Sequence, residues 1–281
     1  MSRADGALSP ADHRRVASFI EREAGIHLPE HKRHLIEVRL RKRQRETGRQ
    51  SLHDYLNFAL SPAGEATEQL ALIDAITTNK TDFFREPAHF EFLCDYLAST
   101  PGAGRQSPLR LWSAACSSGE EPYTLAMVLH ELSERLDGLT FHVDASDIAP
   151  SVLETARRAV YPAARVEPVP MALRRKYLLR SNTPGSEQVK MGPALRRAVS
   201  FAPFNLLTGH YPDRAGYDAI FCRNVMIYFG EAERRQVIAQ LHGALRPGGL
   251  LFIGHSESLG RPNPGFEPLI PSVYRKREPR G

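Results

Sequence analysis

Residues 219–228 read Ala-Ile-Phe-Cys-Arg-Asn-Val-Met-Ile-Tyr, an apolar run that stops at Arg223 and Asn224 and reaches Tyr228 four residues later. A short, continuous apolar run is typical of a strand buried inside a sheet. In open α/β sheets, ligands bind just beyond the carboxyl ends of the strands. The stretch therefore predicts a central strand with a binding site at its carboxyl end.

The chain on either side of this stretch alternates between strand and helix patterns. Further strands are predicted at 109–115, 140–147, 198–204 and 248–254, with a closing pair within 266–277. Helices are predicted at 125–136, 150–160 and 231–245. This alternation predicts an α/β fold with a parallel, doubly wound sheet. The exception is 162–197, where prolines and basic residues replace the expected crossover helix.

Residues 10–75 carry helical signals and little that resembles a strand. Ser9-Pro10 has the pattern of a helix cap followed by a first-turn proline, and Ser51 begins a second apolar helical segment. We therefore expect a small helical domain at the N-terminal end. The Pro/Gly/Ser-rich stretch 99–108 that follows predicts a loop or linker.

Composition limits the class of protein and its surroundings. The chain has 281 residues, of which 42% are hydrophobic and 25% charged, as in ordinary globular proteins. Three widely spaced cysteines (Cys94, Cys116 and Cys222) predict free thiols in a reducing cytoplasm. The N-terminal residues lack the apolar stretch of a secretion signal, and the eleven scattered histidines predict no metal site. The net charge of +5 predicts an acidic partner.

Three segments in chain order carry a resemblance to a known family. They are Thr-Thr-Asn-Lys-Thr-Asp-Phe-Phe-Arg-Glu at 77–86, Leu-Arg-Leu-Trp-Ser-Ala-Ala-Cys-Ser-Ser-Gly-Glu-Glu-Pro at 109–122, and the opening stretch 219–228. Together they resemble the chemotaxis receptor methyltransferases, the CheR family, over roughly residues 10–278. Three long motifs in order are more specific than any one short pattern.

The resemblance implies a Rossmann-like methyltransferase sheet with S-adenosylmethionine as cofactor, S-adenosylhomocysteine as product and no metal. It implies a helical domain over 1–88 that covers the cofactor and docks on the receptor, a linker at 89–108, and a methyltransferase domain over 109–281. An antiparallel β insert is implied at about 162–197. The implied reaction is O-methylation of glutamate side chains on chemotaxis receptors by a cytoplasmic enzyme, with a monomer as the simplest state.

The turn at 113–121 lacks the G-x-G-x-x-G pattern, which argues against a dinucleotide. S-adenosylmethionine has no phosphate, so small residues at this turn suffice for its approach. Its positive charges suit the carboxylates of Glu120 and Glu121, although acids in a first helical turn also complement the helix dipole. With the resemblance, Glu121 is predicted to contact the methionyl end.

Asp147 at the end of the second sheet strand is predicted to accept hydrogen bonds from the ribose, with helix capping as its alternative. Asp144 is the competitor, and we expect it to be a surface acid instead. The resemblance places Asn205 and Leu206 on the adenine side of the cofactor, and Arg223 and Asn224 facing it. Asn224 also suggests a nucleic-acid methyltransferase, but the Asn/Asp-Pro-Pro-Tyr motif of those enzymes is not present here.

By the same resemblance, Asn79, Thr81 and Arg85 fold over the cofactor pocket, while a charged linker is the alternative. Arg85 is predicted to hold the substrate carboxylate in a planar fork, and Tyr228 to line the site of methyl transfer. A glutamate is already ionised at pH 7, so no general base is required. A protein that binds cofactor and receptor without turnover is the remaining rival to an enzyme.

Seven of the residues 32–45 are Lys or Arg, and Glu37 is the one acid among them. A solvated helix face is the ordinary explanation for such a run. The resemblance implies that this helix docks on the acidic methylation helices of a receptor. Nucleic acid ranks last, because no aromatic residues are interleaved with these charges. Whether the β insert also binds a receptor's C-terminal peptide stays open at this point.

Overall fold

The computed structural model describes residues 7–65, 67–100, 107–211, 216–260, 263 and 265–278. The helices in these ranges are α1 Pro10–Ala24, α2 Arg33–Glu46, α3 Leu52–Ala59, α4 Pro62–Glu65, α5 Gln69–Ile76, α6 Ala88–Ser99, α7 Glu120–Arg135, α8 Pro150–Arg158, α9 Met171–Tyr177, α10 Pro193–Ala198 and α11 Glu231–Ala244. The strands are β1 Leu109–Ala114, β2 Phe141–Asp147, β3 Val160–Pro162, β4 Leu178–Arg180, β5 Gln188–Met191, β6 Val199–Pro203, β7 Tyr217–Cys222, β8 Leu245–Ile253, β9 Phe266–Ile270 and β10 Val273–Lys276. None of these helices is long and apolar enough to span a bilayer.

The main sheet has seven strands in the order β6-β2-β1-β7-β8-β10-β9. The first five are parallel to one another, while β10 is antiparallel to both of its neighbours. The predicted fold class, a Rossmann-like methyltransferase sheet with an N-terminal helical domain and a small antiparallel sheet, is confirmed. Because strand order reverses beside β1, a crevice forms at the carboxyl ends of the strands there.

Alternate residues of the central strands face opposite layers of core. On β1, Leu111 packs with α6 and α7, whereas Trp112 packs with α11. On β7, Phe221 belongs to the first layer and Ile220 to the second. The rings of Phe221 and Phe252 stack with centroids 4.1 Å apart. Both faces of the sheet are therefore covered, as the continuous apolar run at 219–222 predicts.

The N-terminal helices α1 to α5 have their own apolar core, centred on Tyr55 and Leu72. The predicted cap at Ser9 is confirmed, and Ser51, where a helix is predicted to begin, is a cap as well. Ser9 Oγ accepts a hydrogen bond from Asp12 N and Ser51 Oγ accepts one from Asp54 N, each at 3.0 Å. These caps satisfy backbone donors that have no partner within the helix, which fixes where α1 and α3 begin.

Two predicted boundaries, those of the linker and of the β insert, need correction. Residues 88–99 are not part of a linker but form α6, because Phe90, Leu93 and Leu97 recur at helical spacing and are buried in the core shared with α7. Residues 101–106 of the predicted linker lie outside the described residues. The insert begins at Val160, before its predicted start, and carries α9 and α10 in addition to its antiparallel sheet of order β3-β5-β4.

Candidate active site

A cavity opens at the carboxyl ends of β1, β2, β6 and β7, beneath the N-terminal helices, and encloses about 1280 Å³ with its open mouth included. Ten residues predicted from the sequence line it: Asn79, Thr81, Arg85, Glu121, Asp147, Asn205, Leu206, Arg223, Asn224 and Tyr228. They come from segments far apart in the chain. Seven of them lie at or beyond the carboxyl ends of parallel strands, which meet at one edge of the sheet, and Asn79, Thr81 and Arg85 lie on the segment between α5 and α6.

The turn after β1 brings backbone, rather than large side chains, to the cavity wall. Ala115 and Ser117 line the cavity with φ values of 93° and 48°. A Cβ on Gly119, which has φ of +97°, would lie 2.9 Å from both Ala156 Cβ and the Tyr161 hydroxyl. This position therefore requires glycine for its backbone conformation and for the space available.

Asp147 is held by backbone donors on both carboxylate oxygens. Oδ2 accepts a hydrogen bond from Ser117 N at 2.8 Å, and Oδ1 accepts one from Ala149 N at 3.0 Å. Burial raises the pKa of Asp147, and these hydrogen bonds counter only part of the rise. The N-cap of α8 is Ala149 rather than Asp147. A carboxylate has about four lone-pair sites, so the group can still accept a hydrogen bond from a hydroxyl group in the cavity.

Asp144, the competing acid on the same strand, does not line the cavity. Its carboxylate accepts hydrogen bonds from Arg110, Ser200 and Tyr217 at 2.8–3.0 Å. Burial raises the pKa of Asp144, but these three donors outweigh burial and hold the pKa below its ordinary value. Asp144 therefore ties together neighbouring strands of the sheet, as a half-buried structural acid.

The two acids at the start of α7 have different partners. Glu121 faces the cavity, where Oε1 accepts a hydrogen bond from Ser113 Oγ at 2.6 Å and Oε2 pairs with Arg223 Nε at 2.7 Å. Glu120 is fully buried and pairs with Arg165 of the insert at 2.7 Å. Burial raises the pKa of Glu120. The turn alone does not distinguish these two acids, and the resemblance selects Glu121. In the structure Glu121 lines the cavity, whereas Glu120 anchors the insert.

Arg223 is an almost completely buried cation, with 3% of its side chain exposed. Its Nη1 lies 2.8 Å from the Arg85 carbonyl, 3.3 Å from Glu86 Oε2 and 3.1 Å from His89 Nδ1. Together with the Glu121 contact, these bonds direct Nε and Nη1 toward protein groups. Arg223 lines the cavity, but these two donors are bonded to the protein rather than free for a cofactor.

His89, His255 and Glu86 form a group of potential metal ligands within 4.8 Å of one another, a cluster that the scattered histidines of the sequence do not predict. The Arg223 guanidinium donates into this group. Because a guanidinium only donates, His89 Nδ1 must be the acceptor. Burial, followed by the charge of Arg223, lowers the pKa of His89 to about 4, so the imidazole is neutral at pH 7. Glu86 and His89 of this cluster are therefore partners of the Arg223 guanidinium.

Asn224 has a left-handed backbone with φ of 57°. Sequence reasoning missed Glu257, whose carboxylate accepts hydrogen bonds from the backbone N–H groups of Asn224, Ile227 and Gly254 at 2.6–3.2 Å. A Cβ on Gly254 would lie 2.4 Å from Asn224 Nδ2. The signal that could have found Glu257 is its position just beyond the end of β8, at the same sheet edge as the other site residues.

Asn205 joins the sheet to the helical domain. Its Nδ2 donates to the Glu23 carbonyl of α1 at 2.6 Å, and its Oδ1 accepts a hydrogen bond from Leu207 N at 2.9 Å. A second connection is the hydrogen bond from His27 N to the Tyr228 carbonyl at 2.9 Å. The helical domain thus closes over the strand ends, and the buried Leu206 side chain supplies apolar wall beside Asn205.

The segment 77–86 folds over the cavity instead of running through solvent as a charged linker. Ser117 Oγ donates to the Asn79 carbonyl at 2.9 Å, and Thr81 is buried. Arg85 lines the cavity and donates from Nη1 to the Lys80 carbonyl at 3.0 Å. Among the described residues, no carboxylate pairs with its guanidinium, so Arg85 presents a cation to the cavity.

These groups fit an adenosyl sulfonium. Asp147 offers carboxylate lone pairs at the end of β2, where a ribose is bound in nucleotide-binding sheets, and Leu206 and Phe204 supply apolar surface nearby. Glu121 supplies a carboxylate for a positively charged group. The turn after β1 has no cluster of glycine amides for a pyrophosphate, which agrees with a ligand that lacks phosphate.

Comparison with known proteins gives matches over nearly the whole chain. Residues 79–272 match the family model described as CheR methyltransferase, SAM binding domain, and residues 11–77 match CheR methyltransferase, all-alpha domain. The chemotaxis protein methyltransferase of Escherichia coli K12 is 40% identical over 268 residues, which cover 95% of this chain and 91% of that protein. The Borreliella burgdorferi chemotaxis protein methyltransferase is 38% identical, with 93% of each chain covered. Chemotaxis protein methyltransferase 2 of Pseudomonas aeruginosa is 39% identical over 88% of this chain and 86% of its own.

Proposed function

This chain belongs to the CheR methyltransferase family, and we propose that it methylates glutamate side chains on the cytoplasmic helices of a chemotaxis-type receptor. As a member of the family it is a methyltransferase with an S-adenosylmethionine-binding domain. The proposal of a glutamate substrate rests on Arg85, a cavity-lining guanidinium that has no acidic partner among the described residues. Such a group suits an incoming carboxylate.

The cofactor supplies a methyl group activated by a positively charged sulfur, and the chain's residues hold and orient it. We assign Asp147 to the ribose hydroxyls and Glu121 to the ammonium of the methionyl end. Leu206 would contact the adenine, and the backbone beside Asn205 would complete that wall, since the Asn205 amide is bonded to Glu23 and Leu207. Asn79, Thr81, Arg223 and Asn224 shape the remaining wall.

The residues around the methyl group have to align it and exclude water. A glutamate has an ordinary pKa of about 4.3, so its carboxylate is already the nucleophile at pH 7. Arg85 would hold that carboxylate in line with the methyl group, with Tyr228 lining the other side. Alignment of this kind can lower a barrier by roughly 7–11 kcal/mol. General-base chemistry is not required.

Charge at the mouth of the cavity supports an acidic protein substrate. Lys32, Arg39, Lys80 and Arg85 all line it. Part of the basic run on α2 is structural, since Arg43 pairs with the buried Glu68 at 2.6 Å and Arg39 donates to the Thr77 carbonyl. Lys42 and Arg45 remain exposed on the same helix. The exposed part of α2 therefore complements acidic receptor helices.

The test is transfer of a radiolabelled methyl group to a purified receptor cytoplasmic fragment. We expect label on protein that mild base releases, because a glutamyl methyl ester is base-labile, whereas an N-methyl group on a nucleic-acid base is not. Arg85→Ala should reduce turnover at saturating cofactor far more than it weakens S-adenosylhomocysteine binding. The matched control is Arg235→Ala, which removes an exposed arginine on α11 and should leave both unchanged. Cofactor binding without any transfer, or base-stable label, would refute the proposal.

A further inference from the structure

Glu86 follows Arg85 in the chain, and its carboxylate joins the 77–86 segment to the strand ends. Oε1 accepts hydrogen bonds from Asn224 Nδ2 and His255 N, each at 3.3 Å. Oε2 lies 3.3 Å from Arg223 Nη1. The side chain is 13% exposed. A single carboxylate therefore contacts residues that follow both β7 and β8.

Arg223 connects Glu86 to the backbone of Arg85. Its Nη1 donates to the Arg85 carbonyl at 2.8 Å, while its Nε is held by Glu121 at 2.7 Å. The guanidinium also lies over the rings of Phe90 and Phe221, at 5.2 and 5.8 Å from their centroids. Because acids hold it from two sides, Arg223 is a fixed donor for the Arg85 backbone.

The backbone around Arg85 needs such a restraint. Phe84 and Glu86, its two neighbours, have φ values of 55° and 57°. Left-handed conformations are uncommon for residues other than glycine and persist where the surroundings hold them. If the Glu86 contacts were lost, this turn would relax toward ordinary conformations and Arg85 would move with it.

We infer that Glu86 is a positioning residue for methyl transfer, which fixes the backbone of Arg85 over the cavity by holding Arg223 in place. The inference rests on the proposed role of Arg85 as the group that orients the substrate carboxylate. Glu86 acts through Arg85 and does not touch the reacting atoms. Loss of Glu86 therefore misplaces an orienting group and leaves the cofactor seat at Asp147 in place.

A double-mutant cycle tests this, with Glu86→Gln, Arg85→Ala and the double variant compared in single-turnover methyl transfer at saturating cofactor. We expect Glu86→Gln alone to lower the rate on the order of 100-fold, as misplacement of an orienting group does. In the Arg85→Ala background the same change should alter the rate by less than about twofold, because residues that act through one another are not additive. S-adenosylhomocysteine affinity should change much less than the rate.

Asp144→Asn is the matched control, since Asp144 is also a multiply bonded acid but lies outside the cavity lining. It should lower thermal stability and leave the rate unchanged. Glu86→Asp, whose carboxylate is one methylene shorter, should slow transfer as well and guards against a folding defect in Glu86→Gln. Equal slowing by Glu86→Gln in both backgrounds, or no slowing at all, would overturn the inference. An unaffected rate in Arg85→Ala would instead refute the proposed role of Arg85.

Discussion

Replacement of Arg223 by Met should destabilise the protein strongly, because it removes the cation between two buried carboxylates. Arg223 pairs with Glu121 at 2.7 Å and Glu86 at 3.3 Å, and the three side chains are 3%, 10% and 13% exposed. Removing one partner of a buried ion pair costs about 3–5 kcal/mol, since the other charge is left without compensation. For a chain of 281 residues, that cost lowers the thermal midpoint by roughly 5–8 °C.

The effect should also depend on pH, with a defined sign. Burial raises the pKa of Glu86, but the charge of Arg223 and the hydrogen bonds from His255 and Asn224 outweigh it, so the pKa lies below its ordinary value. In the wild type this pairing stabilises the fold above about pH 4.3, and the contribution is lost as pH falls through the lower folded-state pKa. Without Arg223, burial dominates and the pKa of Glu86 rises. The variant therefore takes up a proton on mild acidification, and its deficit relative to wild type shrinks.

Thermal unfolding of both proteins at pH 8 and pH 5.5 is the assay. Arg275→Met is the control, because Arg275 and Glu267 are also 2.7 Å apart but are 41% and 43% exposed. This exposed pair should contribute little, so its removal should barely move the midpoint. A drop in thermal midpoint for Arg223→Met no larger than that for Arg275→Met would contradict the prediction. So would a difference in midpoint between Arg223→Met and wild type that is the same at both pH values.

Three further changes have defined outcomes. Asp147→Asn leaves one acceptor oxygen for the two backbone N–H groups, so the ribose hydroxyls assigned to Asp147 lose their acceptor. S-adenosylhomocysteine affinity by calorimetry should then fall about 5- to 150-fold, which corresponds to the roughly 1–3 kcal/mol of an unmet buried donor. Gly119→Ala places a Cβ 2.9 Å from Ala156 and Tyr161 on a backbone with φ of +97°, so the thermal midpoint should drop by several degrees. An unchanged midpoint would contradict the close packing at this position. Tyr228→Phe keeps the ring and removes the hydroxyl. If the hydroxyl takes part in methyl transfer, the rate should fall while cofactor affinity stays unchanged, and an unchanged rate would show that only the ring is needed.

Local patterns in the sequence are sufficient to predict the class of fold. The apolar run at 219–222 predicts a strand covered on both faces, and β7 has that environment. Ser9 and Ser51 mark helix starts because capping depends on only three or four neighbouring residues. The predicted site residues that follow strands meet at one cavity because parallel strands end at the same sheet edge, whereas the position of the 77–86 segment over that cavity depends on tertiary contacts.

Predictions made from composition without periodicity were weaker. The composition of 99–108 predicts a linker there, but a linker that extends back to residue 89 overlooks Phe90, Leu93 and Leu97, which are spaced as on a buried helix face. Helical periodicity in α6 carried more information than the composition of the stretch after it.

What each site residue bonds to was decided by the tertiary structure alone. Arg223 reaches Glu121, which is 102 residues away, and the Asn205 amide reaches the Glu23 carbonyl, 182 residues away. Glu120 and Glu121 are adjacent in sequence, yet one anchors the insert and the other lines the cavity. Sequence periodicity records which face of a strand or helix is buried. The partner of a buried charge depends on which distant segments the fold brings within about 3 Å. Such a charge has lost its hydration, so it is tolerated in the folded protein only when a partner of opposite charge is in contact with it.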